Sequence, residues 1–407
     1  MVPGSGSVAL PSTFLRDATI FVRLHDARLC VITLFLSSGA LSTPALAQRS
    51  ATVLALDTLV ADTSSLTKKV AHANGGRLRV LPVVSRAPET GIGLGVALVR
   101  VTRSAVDTTL RPSTLDGVLT GTQKRQAKFL IEDEIWTAGN RWRIYGSLEF
   151  DRAPTPFYGV LLGAHAPVEP LAFYTTDSYY VDLSADRLIR PGLYIGAGIR
   201  SATNQPVAVR PDSLVAGAPG IKGTGGRVTG VEQTITYDTR DNLYGARHGS
   251  YLLLKHFIAA PVTGSQYRLD DLKAEARMFF PIRTEHVIAL QSTYETLSGD
   301  VPFEQLPTIG GSNVMRGYVP GQYLDRQITT AQAELRLKLA GRFGVTTWGG
   351  AALVCGLHCT ASWRDILPTS GVGLRYYLVP AERLTVRVDL GFGRRVHGLY
   401  FDFTEAF

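Results

Sequence analysis

The sequence has no long apolar run beyond its first 47 residues, because no later window holds eighteen consecutive apolar residues. An α-helix needs roughly 20 such residues to span a bilayer, so we expect no transmembrane helix in the rest of the chain. Nucleic-acid motifs and basic-aromatic stripes are also absent, and the formal charge of +8 is spread along the chain. This distribution argues against a nucleic-acid partner.

Cysteine is scarce, with three residues among 407. Cys30 lies in the apolar leader described below, whereas Cys355 and Cys359 form a close pair. A zinc site would need two further ligands at suitable spacing, and the sequence offers none. We therefore expect no metal and no cofactor, and a small disulfide in an exported loop, which an oxidising compartment permits.

Residues 21–47 have the organisation of an export signal. Arg23 and Arg28 precede a short apolar core, and the segment ends on a small-residue cleavage site, Ala-Leu-Ala. The residues before it do not resemble a basic n-region, which indicates an over-extended start and an initiator nearer Val22. We interpret residues 1–47 as a signal peptide, so the mature protein is either soluble in the periplasm or a membrane barrel.

Beyond the leader, apolar residues recur with a period of two. In residues 331–339, Ala and Leu occupy one face, and polar residues that include Glu334 and Arg336 occupy the other. Residues 271–280 and 383–392 repeat the pattern. A charged inner face is costly in a dry β-sandwich but costs little in a water-filled lumen. The alternation therefore predicts barrel strands with their apolar face toward lipid.

We predict an all-β fold, a transmembrane antiparallel β-barrel of about sixteen strands over residues 81–407, preceded by a periplasmic linker or plug at 48–80. The predicted strands are 90–102, 113–122, 126–136, 141–151, 157–164, 172–188, 192–203, 228–239, 249–260, 267–281, 286–298, 325–340, 343–354, 370–378, 382–393 and 398–407.

Connector lengths give an orientation, because outer-membrane barrels have short periplasmic turns and longer outside loops. If the first predicted strand runs outward, the periplasmic turns fall near 123–125, 152–156, 189–191, 240–248, 282–285, 341–342 and 379–381. The outside loops then include 204–227, 299–324 and 355–369, which places the cysteine pair outside.

The end of the sequence predicts a closing strand that pairs with the first one and so removes free sheet edges. It is rich in aromatic residues, namely Tyr400, Phe401, Phe403 and Phe407. A strand of this kind can be captured by strand addition. We therefore expect the outer-membrane assembly machinery to recognise it during biogenesis.

Four local sequences, taken in order, resemble one family. Residues 308–323 read TIGGSNVMRGYVPGQY and contain Gly310, Gly311, Arg316, Gly317 and Tyr318. This segment resembles the Gly-Gly…Arg-Gly-Tyr/Phe signature of the bacterial surface antigen superfamily, which includes the BamA and TamA insertases and two-partner secretion transporters.

Three further segments are similar to other parts of that family. They are an opening strand at 88–95, a mid-barrel periplasmic turn that contains Asp238, Arg240, Asp241 and Gly249, and closing strands that contain Asp389 and residues 405–407. The resemblance covers about residues 80–407.

The resemblance implies that the loop between strands 11 and 12 folds back into the lumen. There Arg316 would pair with inward acids on the two following strands. Glu334 occupies the first acid position, but the second lies in the segment that begins at Trp348 and is missing. We expect Asp389 to substitute for it.

The resemblance also implies a bacterial outer-membrane protein that works in membrane-protein assembly, translocation or secretion. Family insertases carry periplasmic POTRA domains, and residues 48–80 are too short to form one. A client protein or a separate periplasmic domain protein is thus an expected partner, besides outer-membrane lipid. The alternative is a gated or passive pore for small solutes or lipids, with no insertase activity. No serine or cysteine nucleophile lies in a recognisable constellation with a histidine base, so we do not expect an enzyme.

Overall fold

The computed structural model describes residues 78–87, 91–102, 110–123, 125–208, 221, 225–283, 285–357, 359, 362–380 and 383–407. The expected signal peptide at 1–47, nearly all of the expected linker at 48–80, and residues 88–90 of the opening motif lie outside these ranges.

The described residues form sixteen β-strands and five short 3₁₀ turns. The strands are β1 (Arg79–Ala87), β2 (Gly91–Thr102), β3 (Ser113–Thr122), β4 (Ala127–Trp136), β5 (Trp142–Phe157), β6 (Ala172–Arg190), β7 (Leu193–Ala208), β8 (Gly226–Asp238), β9 (Gly249–Ala259), β10 (Leu269–Pro281), β11 (Val287–Gly299), β12 (Gln327–Lys338), β13 (Phe343–Cys355), β14 (Leu367–Val379), β15 (Leu384–Gly393) and β16 (Val396–Phe403). The 3₁₀ turns are Ala138–Asn140, Gly163–His165, Pro261–Thr263, Phe303–Gln305 and Trp363–Asp365.

All sixteen strands belong to one antiparallel sheet whose order follows the sequence, from β1 to β16. Contacts between distant strands, described below, show that the sheet curls around a lumen, and the fold is a sixteen-stranded barrel. Within the described ranges, no helix has the length and apolar character that a bilayer crossing requires.

The two faces of the sheet differ as the alternation predicts. In β8, Glu232, Thr234 and Asp238 are buried on the lumen side, whereas Val231 and Ile235 on the other side are 44% and 46% exposed. A row of exposed apolar side chains on one face is what a strand in contact with hydrocarbon requires. The outward face is therefore the lipid face.

The predicted strand at 157–164 is wrong. Gly159, Leu161 and Gly163 all have positive φ values, of 103°, 57° and 54°, which an extended strand cannot contain. Instead β5 continues to Phe157 through residues that the sequence assigned to a turn at 152–156. Two prolines lie in this extension.

Pro154 and Pro156 are tolerated because β4 does not extend far enough to pair with this part of β5. The β4–β5 ladder ends at the pair Ala127–Arg152, so β5 beyond Arg152 has a neighbour only on its β6 side. Pro154 and Pro156 share one phase of the strand, and a proline without an N–H is acceptable where no ladder bond is needed.

The structure also adds a strand that the sequence analysis missed. Residues 79–87 pair with 91–99 as β1 and β2. Its central residues, 80–84, read VLPVV and include Pro82 but no polar residue, so the segment lacks the alternation that marks the other strands. The barrel therefore begins two residues before the predicted boundary at 81.

Because one strand was missed and one was falsely predicted, the first four predicted strands, which correspond to β2 to β5, run in the direction opposite to the predicted one. Turn 123–126 lies at the same end as the long connectors 158–171 and 300–326, and not at the periplasmic end. From β6 onward the predicted turns and loops agree with the structure. We call the end with the long connectors the outer end and the opposite end the inner, periplasmic end.

Cysteine labelling in intact cells tests this orientation. Gln123→Cys lies at the outer end and is expected to react with a membrane-impermeant maleimide, as is Val262→Cys in an outer connector, where Val262 is 93% exposed. Glu285→Cys at the inner end should react only after the outer membrane is permeabilised. Protection of Gln123→Cys together with labelling of Glu285→Cys in intact cells would overturn the assignment.

Candidate functional site

Residues 300–326, between β11 and β12, form a loop that enters the barrel, and we call it the lumen loop. Its first part packs against the wall formed by β5 to β11: the Phe303 ring meets those of Phe157 at 5.3 Å and Tyr174 at 5.4 Å. Val301 and Leu306 join the same buried cluster. The strand residues of this cluster all lie near the outer ends of their strands.

The second part of the lumen loop packs against the opposite wall. Ile309, Met315 and Tyr318 are buried with side chains of β12, β13 and β14, such as Val354 and Leu367. The loop thus crosses the lumen near its outer end and contacts both sides. Apolar burial on both walls fixes the position of the loop.

Glycine allows the loop to lie directly on the strands. Gly310, Gly311 and Gly317 have φ values of 109°, 100° and 110°, a region that other residues rarely occupy. At Gly317 an added Cβ would lie 2.6 Å from the backbone of Phe392 in β15. A larger residue there would push the loop off the wall.

Arg316 reaches the middle of the lumen wall and is fully buried. Its Nη1 donates to Oδ2 of Asp389 at 2.6 Å, and its Nη2 donates to Oε2 of Glu334. Both carboxylates are also fully buried. The structure therefore brings Arg316 together with Glu334 and Asp389, the two acids predicted as its partners.

Arg316 makes a third contact, with an aromatic ring in the segment where the resemblance implied a second acid. Its guanidinium carbon lies 3.6 Å from the centroid of the Trp348 ring. Trp348 fits because Gly371 on the neighbouring strand leaves the space, where a Cβ would come within 2.1 Å of the ring. A cation over an indole face is favourable, so an aromatic contact on β13 and a carboxylate on β15 together hold the arginine.

Three more buried arginines surround this clamp. Arg387 donates to Asp389 and Asp402, both at 2.9 Å, and Arg375 donates to Asp389 at 2.5 Å. Arg375 also donates to Glu405, and Arg336 donates to Glu334, each at 2.7 Å.

The four arginines and the four carboxylates balance in charge. A buried ion is costly unless it is paired and hydrogen-bonded, and here each ion has at least one partner of opposite charge. We define the arginine clamp as Arg316, Arg336, Arg375 and Arg387 with Glu334, Asp389, Asp402 and Glu405.

Sequence reasoning missed Trp348 and the three additional arginines as parts of the site. A signal was present, because Arg336, Arg375 and Arg387 all lie on the inward phase of their strands. Several inward arginines on neighbouring strands require carboxylates nearby. Which carboxylate each would meet depends on loop and register geometry that spacing alone does not give.

Tyr318 and Tyr400 fasten the loop to the closing strands. The Tyr318 hydroxyl donates to the Pro368 carbonyl at 2.7 Å, and the Gly317 N–H donates to the Tyr400 hydroxyl at 2.8 Å. Burial raises the pKa of Tyr318 to about 12, so its hydroxyl stays protonated and able to donate.

The predicted closing strand is too long. β16 ends at Phe403, where Phe401 and Phe403 are in register with Val388 and Val386 of β15. After Thr404, which has a positive φ of 65°, the chain turns into the lumen. Phe407 is buried there with Phe279, and a Phe407 oxygen accepts a hydrogen bond from Arg336 at 2.8 Å.

The periplasmic turn motif occupies the inner end. Asp238 accepts from Arg240 at 2.8 Å and from Arg111 at 2.6 Å, which links the end of β8 to the segment just before β3. Gly249 has a φ of 96°, and a Cβ there would lie 2.2 Å from the Thr239 carbonyl oxygen. The turn closes only with glycine at that position.

Residues 239–248, which we call the inner turn, extend across the lumen to the closing strands. Asp241 accepts from Arg383 in the turn between β14 and β15, and the Gly245 carbonyl accepts from Arg383 at 3.2 Å. The Glu405 N–H donates to the Tyr244 carbonyl at 3.3 Å. The inner turn therefore bridges the inner opening of the barrel.

A disulfide joins Cys355 and Cys359 at the outer end of β13. In the part of the chain that the structure describes, no three His, Cys, Asp or Glu side chains are grouped so that they could hold a metal ion. The contacts that the structure shows at the site are ion pairs, hydrogen bonds and apolar packing.

An antiparallel sheet that curls around a charged lumen and has an apolar outer face defines an outer-membrane β-barrel of bacteria. A family model, described as the Omp85 superfamily domain, matches residues 112–381, and the chain belongs to this superfamily. No curated protein gives a significant match.

Two solved structures are similar to this chain, and the first of them shares its fold. BamA from Haemophilus ducreyi lacking POTRA domains 1–3 is 13% identical, with a TM-score of 0.52 over 82% of this chain and 70% of that one. CdiB from Acinetobacter baumannii is 11% identical, with a TM-score of 0.49 over 81% of this chain and 58% of that one.

Removal of the central arginine should destabilise the barrel. In Arg316→Ala, Glu334 and Asp389 lose a buried partner, which typically costs about 3–5 kcal/mol. We expect a clearly lower temperature for loss of the folded band in heat-modifiability gels. Arg100→Ala, which removes an exposed arginine from β2, is the matched control and should leave the temperature unchanged. Equal shifts for both variants would contradict a special role of Arg316.

The inner turn should detach at acid pH. Burial raises the pKa of the Asp241 carboxyl, but hydrogen bonds from Arg383 and from the Arg247 and His248 N–H groups outweigh it and hold that pKa below its usual value. A depressed folded-state pKa gives stability that is present above the unfolded pKa, about 3.9, and is lost as pH falls through the folded value.

Thermal stability of the wild type measured from pH 6 downward should therefore fall faster than that of Asp241→Asn below about pH 4. The variant should already be less stable at pH 6, because it lacks the ion pair with Arg383. Parallel pH profiles of the two proteins would show that this ion pair does not contribute.

Proposed function

We propose that this barrel acts in the assembly or translocation of proteins at the outer membrane, and that it is not a static pore. Membership of the Omp85 superfamily gives the class of function. The observation that carries the proposal is that the lumen is crossed at both ends by the chain itself, while the arginine clamp ties the lumen loop to the last strands.

Closure at both ends argues against free diffusion of solutes. At the outer end, the lumen loop packs on opposite walls through two apolar clusters. At the inner end, the inner turn reaches from β8 and β9 to Arg383 and Glu405. A porin of similar strand number keeps an aqueous channel instead.

The arginine clamp lies on the side of the barrel where a lateral opening would form. Each strand is hydrogen-bonded to the next from β1 to β16, so β1 and β16 are the two ends of the sheet, which meet when the barrel closes. The clamp joins strands β12, β14, β15 and β16 through Glu334, Arg375, Asp389 and Asp402. These strands would move as one body if β1 and β16 parted for a client.

The proposal assigns the protein no catalytic step and no cofactor. The partners are outer-membrane lipid, the assembly machinery during insertion of the barrel, and a client polypeptide. A free sheet end offers backbone N–H and C=O groups to an incoming strand, which is how a client β-strand would be engaged.

A gated pore is the second candidate, and the charged lumen wall favours it. Between the two closures the wall carries charged residues such as Arg200, Asp271 and Lys255, and an ion path needs such a lining. In this case displacement of the lumen loop would open the channel.

Two measurements separate these functions. Proteoliposomes that contain the purified protein should speed the folding of a urea-denatured small barrel, relative to protein-free liposomes. In planar bilayers, the wild type should be mostly closed and Arg316→Ala should open in bursts, with Arg100→Ala as the silent control. Steady wild-type conductance without any acceleration of client folding would refute the proposal and favour the pore.

A further inference from the structure

A second group of arginines surrounds a cavity of about 300 Å³ at the inner end of the barrel. Strands β3 to β10 form its wall, and the inner turn contributes Arg240 to its edge. Arg111, Arg143 and Arg277 line it as well. None of these four arginines belongs to the arginine clamp.

Aromatic rings hold the four guanidinium groups in pairs. Arg111 and Arg143 lie 4.9 and 6.0 Å from the centroid of the Trp136 ring. Arg240 and Arg277 lie 4.5 and 5.2 Å from that of Tyr251. Such contacts fix the guanidinium planes, and a fixed plane loses less conformational entropy when it binds a further group.

The arginines of this cavity are balanced by carboxylates, but one of them keeps hydrogen-bond donors to spare. Glu134, Asp186 and Asp238 line the cavity, and a fourth carboxylate, Glu275, lies behind the lining. Arg277 donates through Nε to Glu275, behind the lining, at 2.6 Å. Neither Nη group of Arg277 has an acceptor among the described residues.

Two neutral groups add further hydrogen-bond donors to the cavity. Thr236 lines the cavity and is 4% exposed, and its Oγ1 has no hydrogen-bond partner among the described residues. The Trp136 Nε1 is buried and lacks a partner in the same way. Buried polar groups are nearly always hydrogen-bonded, so a threonine and an indole with donors to spare indicate a ligand that brings acceptors.

We propose that this cavity binds an oxyanion group, a phosphate monoester, presented from the periplasmic side. A phosphate has several strong acceptor oxygens, and guanidinium groups bind it in a bidentate manner. The volume is at the small end of ligand pockets, so it admits a phosphate with a small substituent and excludes a polypeptide. The inference does not depend on the proposed role in protein assembly.

Two kinds of molecule carry such a phosphate group, namely a dissolved phosphate ester and the headgroup of a lipid. Full-length folded protein in detergent micelles is titrated with inorganic phosphate and, separately, with dihexanoyl phosphatidic acid, and the ³¹P line width reports binding. Similar affinity for both probes assigns the site to a dissolved phosphate. A much tighter complex with the lipid assigns it to a headgroup.

Variants locate the binding. Arg277→Gln and Thr236→Val should each weaken phosphate binding about tenfold, as expected for the loss of a charge-assisted hydrogen bond or of a buried donor. Arg283→Gln, in an exposed inner connector, is the matched control and should bind as the wild type does. Heat-modifiability gels establish that each variant is folded, and Thr236→Val keeps the test available if Arg277→Gln does not fold.

Line broadening that is lost in both site variants and kept in the control supports the site. Absence of broadening with either probe would show that the cavity holds only water and would overturn the proposal. Broadening that is equal in the wild type and in both site variants would place the phosphate elsewhere, which overturns it as well.

Discussion

The structure depends on one electrostatic constraint: an arginine buried in the lumen must meet carboxylates. Arg316 has no exposed surface, and neither has Glu334 or Asp389. The lumen loop delivers Arg316, and β12 and β15 deliver the acids, so the loop can occupy only the position in which all three meet. Apolar packing at the outer end and the neutral charge balance of the arginine clamp then support the same position.

The resemblance to the family predicts this interaction, and the two-residue side-chain period of a strand agrees with it. Once Arg336 and Glu334 are known to share a face, Glu334 must point into the lumen, and the same logic places Asp389 inward on β15. The structure shows both residues at Arg316. It also shows the Trp348 ring against the guanidinium, in the segment where the resemblance implied a second acid.

The errors at the start of the barrel have a common origin in local signals that tertiary context overrides. Pro154 and Pro156 indicate a turn, yet they lie in β5 where its neighbour β4 has already ended. Pro82 and a central run without polar residues hide β1. Contacts such as Arg111 with Asp238 and Arg383 with Asp241 join residues more than a hundred positions apart, and no pattern within a strand can reveal them.

The ion pairs of the lumen wall form two groups, which lie on different sets of strands. The arginine clamp joins β12 to β16, and the arginines of the inner cavity join β3 to β10. At the inner end, the inner turn connects the two sets through Asp241 and Arg383 and a few backbone contacts. At the outer end, the lumen loop connects them by apolar packing on both walls. The β10–β11 and β11–β12 ladders join the two sets as well, so the two groups of ion-paired strands belong to one continuous sheet that the lumen loop and the inner turn brace from inside.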